Sequence, residues 1–207
     1  MTETPRTGAI VLAAGRSSRF ADGHKLLADI GGKPLIRHTL EAVAASPVGS
    51  IVLVVSPGNH DAITAAAGPG RWTPVINTKA EDGLSSSLRS GVSLMPADAS
   101  GAIVVLGDMP GITPDLISRI LAKAAAYPGS IIYPLTPDGK QGHPVFWPAD
   151  ILAQFEELTG DQGGKPLLRR HAHRIVTIAS DNSAAIDIDT VEDLAAFKMR
   201  GLSLIHI

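Results

Sequence analysis

The segment Ile10–Lys25 reads Ile-Val-Leu-Ala-Ala-Gly-Arg-Ser-Ser-Arg-Phe-Ala-Asp-Gly-His-Lys. An apolar run passes directly into a turn of small residues, Leu12, Ala13, Ala14 and Gly15, and that turn carries Arg16, Arg19 and Lys25. Small residues let backbone N–H groups approach phosphate oxygens, and the cations offset phosphate charge. The pattern suits a polyphosphate and so points to a nucleoside triphosphate. Neither common phosphate fingerprint is present: Gly15 and Gly23 do not make the Walker spacing, and no Gly-x-Gly-x-x-Gly follows the run. Two acidic motifs stand far from the loop. Asp108 follows the apolar run Ile103–Leu106 and precedes Pro110, which puts a carboxylate at the end of a rigid strand, a place suited to Mg²⁺. Asp187 and Asp189 alternate around Ile188, so both side chains fall on one face of an extended segment. In Glu81–Arg89, Gly83 permits close approach, and Ser85, Ser86 and Ser87 offer hydroxyls and helix-start N–H groups. Each residue has an ordinary alternative: a strand-end turn for Gly15, a solvated charge for Arg16 or Arg19, a turn for Asp108, a helix cap for the serines. The joint pattern is what argues for a nucleotide site.

These residues need a scaffold that brings distant segments together. Strands are expected at Ala9–Leu12, Ile51–Ser56, Pro74–Asn77, Ala102–Leu106, Ser130–Tyr133, Pro144–Trp147 and Arg174–Ile178, where apolar and β-branched residues run between turn signals. The first, second and fourth are apolar nearly throughout, as in a parallel sheet covered on both faces. Helical spacing marks Pro34–Ala45, Asp61–Ala67, Ser85–Leu94, Pro114–Ala126 and Val191–Met199, with Thr113 and Thr190 as caps. Glu192 and Asp193 read as partners of the last helix's dipole. Alternating strands and helices predict a Rossmann-like, doubly wound α/β fold with a mostly parallel sheet, helices on both faces, and ligands beyond the carboxyl ends of the strands. The expected organisation is one domain over residues 1–207, with halves at about 8–110 and 111–199. The elements shorten after Tyr133, which reads as a small inserted lobe. The tail Leu202–Ile207 fits no pattern.

Composition narrows the partners. Lys and Arg number 18 against 20 Asp and Glu, so there is no basic field for nucleic acid. The absence of Cys excludes thiol chemistry and disulfides and fits a reducing, cytoplasmic setting. No apolar run approaches a membrane span, and the polar start shows no signal-peptide core.

The loop Leu-Ala-Ala-Gly-x-x-x-Arg with the following Lys25 resembles the signature of the nucleotidyltransferase superfamily, most closely the molybdenum cofactor cytidylyltransferases. The resemblance spans nearly all of Ala9–Met199. It departs at position 21, where Ala stands in place of the family's Gly and Gly23 comes two residues later. It implies that Arg19 and Lys25 contact the triphosphate, that Asp108 and Asp189 hold Mg²⁺ with Asp187 in support, and that Gly83–Ser87 border the base and ribose. Guanylyltransferase relatives carry Leu-Ala-Gly-Gly in the loop; Ala14 here narrows the pocket against a purine and implies CTP. Gln141-Gly-His-Pro-Val145 and Gly160-Asp-Gln-Gly-Gly-Lys-Pro166 are similar to the family's acceptor segments, which assigns Gly142, His143, Pro144, Asp161 and Lys165 to the acceptor. The implied reaction moves CMP from CTP onto the phosphate of molybdopterin, with or without molybdenum, for a molybdenum hydroxylase that receives the product. Two alternatives stay open: transfer onto a sugar phosphate or other phosphate monoester, and a non-catalytic nucleotide-binding chaperone for the cofactor. Lys33, after Gly31-Gly32, reads either as part of a closing loop or as a tight turn into a helix. His171-x-His173 lacks a third ligand for a metal.

Overall fold

The computed structural model describes residues 7–15, 17, 20 and 24–203, without the side chains of 200–203. Its strands, in chain order, are β1 (Thr7–Leu12), the short pair β2 (Asp29–Ile30) and β3 (Lys33–Pro34), β4 (Ile51–Val55), β5 (Thr73–Ile76), β6 (Gly101–Leu106), β7 (Ile131–Leu135), β8 (Val145–Pro148) and β9 (Ile175–Ala179). Every apolar run expected to be a strand joins one seven-stranded sheet, ordered β5-β4-β1-β6-β8-β7-β9. The β5, β4, β1 and β6 strands are mutually parallel, and β9 runs parallel to β7. Only β8 is reversed, antiparallel to both β6 and β7. It returns from β7 through a loop, with no crossover helix, and an antiparallel partner is what such a connection permits. The mostly parallel, doubly wound α/β sheet expected from the sequence is the architecture observed.

The long helices are α1 (Leu35–Ala44), α2 (His60–Ala67), α3 (Leu84–Val92), α4 (Pro114–Ala126) and α7 (Val191–Ser203), with the shorter α5 (Ala149–Leu152) and α6 (Lys165–Arg170) in the second half. Those two were not legible in the sequence, being too short for a helical period to show. The α7 helix runs past Met199, and residues 204–207 of the tail lie outside the described residues. Alternation along the strands divides the core into two layers. Ala9, Val11, Leu53, Val55, Ile103 and Val105 face Leu35, Ile36, Leu40 and Ile63 on one side, with Ile117, Ile120 and Leu194. Ile10, Leu12, Val54, Ala102 and Val104 face Leu88, Trp147, Ile151, Phe155 and Leu167 on the other. Among the described residues no helix is long and apolar enough to cross a membrane.

The chain leaves β1 toward β4 and β5 on one side, then crosses to β6 on the other. This reversal opens a crevice at the carboxyl ends of β1 and β6, where the loop after Leu12 and the carboxylate of Asp108 emerge.

Candidate active site

Leu12, Ala13, Ala14 and Gly15 line a cleft of about 460 Å³, together with Lys25, Gly83, Ser87 and Asp108. The loop is pinned from below. Ala13 N–H donates to the Val54 carbonyl at 2.8 Å, and Asn59 Nδ2 donates to the Ala13 carbonyl at 2.8 Å while its Oδ1 accepts from Ser56 N–H. His24 fastens the far end, with Nε2 2.9 Å from the Gly15 carbonyl and Nδ1 accepting from Leu26 N–H. Burial pulls the His24 pKa below its ordinary value, Lys25 adds to that, and the Gly15 carbonyl opposes it. Arg16 and Arg19 lie outside the described residues.

The two acidic motifs and the distal cation of the loop converge. Lys25 Nζ lies 2.5 Å from Asp108 Oδ2 and 2.7 Å from Asp189 Oδ1. Burial alone would lower the Lys25 pKa, but the Asp108 and Asp189 carboxylates outweigh it and raise the net value. Asp108 is placed by close contact of β1 with β6: Gly107 N–H donates to the Leu12 carbonyl at 2.9 Å, and a Cβ on Gly107 would sit 2.9 Å from that oxygen and 3.0 Å from Ile36 Cδ1. Asp189 is placed from two directions. Ile188, fully buried, donates its N–H to the Asp108 carbonyl at 3.1 Å. Asp193 Oδ2 accepts from Asp189 N–H, Thr190 N–H and Thr190 Oγ1, and Asp193 N–H donates back to Thr190 Oγ1. Asp193 is therefore the reciprocal half of a capping box, and not merely a dipole partner as expected. Asp187 lies close by; burial raises its pKa, and the like charges of Asp189 and Asp108 add to the shift.

Asp108 and Asp189 give an all-oxygen donor pair. That suits Mg²⁺, which keeps several waters and takes one or two carboxylates beside phosphate oxygens. Asp108 Oδ1 is buried without a hydrogen-bond partner, as a carboxylate organised for a cation would be. Among the described residues no cluster of three or more His, Cys, Asp and Glu forms a complete metal cage.

The start of α3 corrects one expectation. Its first N–H groups are not free for an anion: Leu84 N–H donates to Asp161 Oδ1 and Ser85 N–H to the Gly160 carbonyl. Gly83 takes φ +92°, and a Cβ there would strike Asp161 Oδ1 at 2.5 Å. The serine hydroxyls are largely turned inward. Asn77 Nδ2 donates to Ser86 Oγ and Ser87 Oγ, Ser85 Oγ is buried, and of the three only Ser87 lines the cleft. The reason is packing: all three are buried at the start of α3.

A second cavity of about 260 Å³ abuts the first, sharing Leu12, Leu84, Leu106 and Asp161 with it. His143 and Lys165 line it, with apolar walls from Val145, Trp147, Phe155 and Leu168. Gly142 and Pro144 do not line it; Gly142 N–H donates to the Pro134 carbonyl and His143 N–H to the Ala184 carbonyl. Burial lowers the His143 pKa against upward pulls from the Val104 backbone and Asp108. Asp161 caps α3 and forms part of the rim between the two cavities, a structural role the sequence did not disclose. Lys33 pairs with Glu41 on α1, outside both cavities, and His171 binds Gln154. His24 and Asn59 were missed by sequence reasoning. The only available signals were a His beside Lys25 and an Asn in the turn after β4.

A family model described as the MobA-like NTP transferase domain matches residues 9–175. A protein named nicotine blue oxidoreductase from Paenarthrobacter nicotinovorans is 28% identical over 202 residues, covering 93% of this chain and 97% of that protein. A probable molybdenum cofactor guanylyltransferase from Pyrococcus horikoshii is 30% identical over 154 residues, covering 74% of this chain and 73% of that protein. The crystal structure of a Mycobacterium tuberculosis Rv0371c homolog from Mycobacterium sp. strain JC1 matches with a TM-score of 0.85 at 27% identity, over 96% of this chain and 98% of that one.

Proposed function

Since the chain belongs to the MobA-like NTP transferase family, we propose that it moves CMP from CTP to the phosphate of molybdopterin, or of its molybdenum-loaded form, with Mg²⁺, and releases pyrophosphate. The observation that carries this reading is the meeting of Lys25, Asp108 and Asp189 beside the small-residue loop after β1.

A phosphate oxygen of the acceptor attacks the α-phosphorus, and the bond to the bridging oxygen of the β-phosphate breaks. A phosphate monoester has a second pKa of about 6, so the attacking oxygen is already ionised at neutral pH and needs no strong base. The obstacle is repulsion: two unit charges about 4 Å apart cost about 4 kcal/mol at an effective dielectric near 20. Lys25, with Arg19 from the loop, offsets the β- and γ-phosphates as charge gathers on the leaving pyrophosphate. Asp108 and Asp189 would hold the divalent cation, which supplies Lewis-acid polarisation at the α-phosphate. Gly15 and its neighbours let the backbone approach the phosphates, and the Ala14 methyl favours cytosine over a larger purine. The acceptor occupies the second cavity, where His143, neutral at pH 7 because its pKa is lowered, donates or accepts a hydrogen bond and Lys165 supplies a cation at the rim. The apolar walls there suit the flat ring system of a pterin better than a hydroxyl-rich sugar, which weighs against a sugar phosphate acceptor. The metal-ready carboxylate pair weighs against a purely non-catalytic chaperone.

The relative named nicotine blue oxidoreductase matches almost end to end and supports a second reading, a redox enzyme built on the same cleft. One assay separates these. Pyrophosphate release is measured with CTP, GTP, ATP and UTP, with Mg²⁺, with and without molybdopterin, beside a sugar phosphate arm and a reduced-nicotinamide oxidation arm. Turnover with CTP alone that requires molybdopterin is expected. Turnover with a sugar phosphate overturns the acceptor, turnover with GTP overturns the base, and nicotinamide oxidation without pyrophosphate release favours the redox reading.

A further inference from the structure

We infer that Lys25 is a built-in counterion that occupies the metal carboxylates until nucleotide arrives, so that divalent cation and nucleoside triphosphate bind cooperatively and the cation alone binds poorly. The inference rests on the nucleotidyltransferase reading of the site and adds a binding order to it.

Lys25 Nζ bridges Asp108 Oδ2 and Asp189 Oδ1 at 2.5 and 2.7 Å, the place between two carboxylates that a cation needs. The other oxygen of Asp108 is buried away from solvent. Lys25 therefore holds one oxygen of each carboxylate that a metal would take. A divalent ion entering alone must displace the ammonium from both carboxylates and leave it beside a doubly charged neighbour, largely shielded from water, with a side chain only 17% exposed. A nucleoside triphosphate changes that balance. It brings phosphate oxygens that can take the ammonium as Lys25 swings off the carboxylates, and it supplies further ligands to the metal. Lys25 sits on a single 3-10 turn, Lys25–Leu27, whose only buried side chain is Leu26, so its long stem can turn without disturbing the sheet. The exchange keeps charge matched at each stage: ammonium against carboxylates before binding, ammonium against phosphate and metal against carboxylates after it.

Two sites coupled in this way affect each other reciprocally, so Mn²⁺ must raise the affinity for CTP by the same factor as CTP raises that for Mn²⁺. The test uses Mn²⁺ as a probe on the full chain, without acceptor, so no turnover is read. Bound Mn²⁺ is followed by electron paramagnetic resonance, and CTP affinity by calorimetry with and without Mn²⁺, for the wild type and Lys25→Met. Circular dichroism and thermal melting check that the variant is folded, and Lys25→Gln serves as a second variant. The wild type is expected to bind Mn²⁺ alone weakly and to gain about tenfold or more with CTP, within the usual range of such couplings. Both variants should bind Mn²⁺ alone more tightly than the wild type, and Mn²⁺ alone should raise their melting temperature. Wild-type affinity for Mn²⁺ that is the same with and without CTP overturns the inference. So do variants that bind Mn²⁺ alone no better than the wild type. If CTP fails to bind in any combination, the nucleotide reading itself falls, and the Mn²⁺-only comparison still decides whether Lys25 blocks the ion.

Discussion

At Lys25 the ammonium is held by two carboxylates in a partly buried site, and its pKa is raised despite the opposing effect of burial. By linkage, the stability this contributes is fully present below the ordinary Lys value and is lost as pH rises through the raised one. Asp108 is the partner whose loss is most informative. Asp108→Asn keeps the shape and an oxygen for Lys25 but removes the negative charge that would bind the metal. We expect turnover to fall about 10²–10³-fold, the usual cost of removing one preorganised electrostatic group, with an unchanged circular dichroism spectrum; near-normal turnover at ordinary Mg²⁺ would take Asp108 out of the site. His24 shows the opposite linkage. Its pKa is lowered in the folded chain, mainly by burial, as is that of His143. As pH falls through about 6.5 the unfolded chain takes up protons that the folded chain does not, so stability present above that pH drops until the lowered values are reached. Thermal melting from pH 8 to pH 5 should show this decline, and His24→Gln should flatten part of it. An identical slope in the variant would show that His24 does not carry the effect.

Among the elements, α7 matters for how it begins. Its capping box fixes the backbone of Asp189 and Thr190 just where Asp189 turns toward Lys25. Asp193→Ala removes the acceptor of three hydrogen bonds and should cost about 1 kcal/mol, as loss of a cap does. Because it also frees Asp189, the Mg²⁺ concentration for half-maximal turnover should rise while the variant still melts cooperatively; a stability loss with no change in Mg²⁺ requirement would make the box purely structural. Most elements were legible in the sequence for clear reasons. The apolar runs at Ile51–Val55 and Gly101–Leu106 pack on both faces, and Pro114–Ala126 carries a Thr113 cap that bonds Leu116 N–H. The helices at Ala149–Leu152 and Lys165–Arg170 span too few turns to leave a periodic trace; their buried residues Ile151, Leu152 and Leu167 join the cluster that holds Trp147 and Phe155.

For the molecule as a whole, the reversal of strand order beside β1 is what brings the loop and Asp108 into one cleft, and Asp189 joins them through Lys25. Binding CTP with Mg²⁺ should therefore protect three distant segments together in hydrogen exchange: the loop after Leu12, the end of β6 through Asp108, and Asp187–Asp193. The outer strand β5 should be unaffected, and protection of only one segment would argue against a shared site. The sequence by itself determined the α/β class, the small-residue loop and the charges of Lys25, Asp108 and Asp189, because strand and helix periods and side-chain charge are local properties. It could not determine that Lys25 lies between the two carboxylates, that Ser85 and Ser86 turn away from the cleft, or that Asp161 spends its oxygen on α3. Those outcomes depend on which backbone N–H groups and side chains meet across long sequence separations, and only the closed packing of sheet and helices decides that.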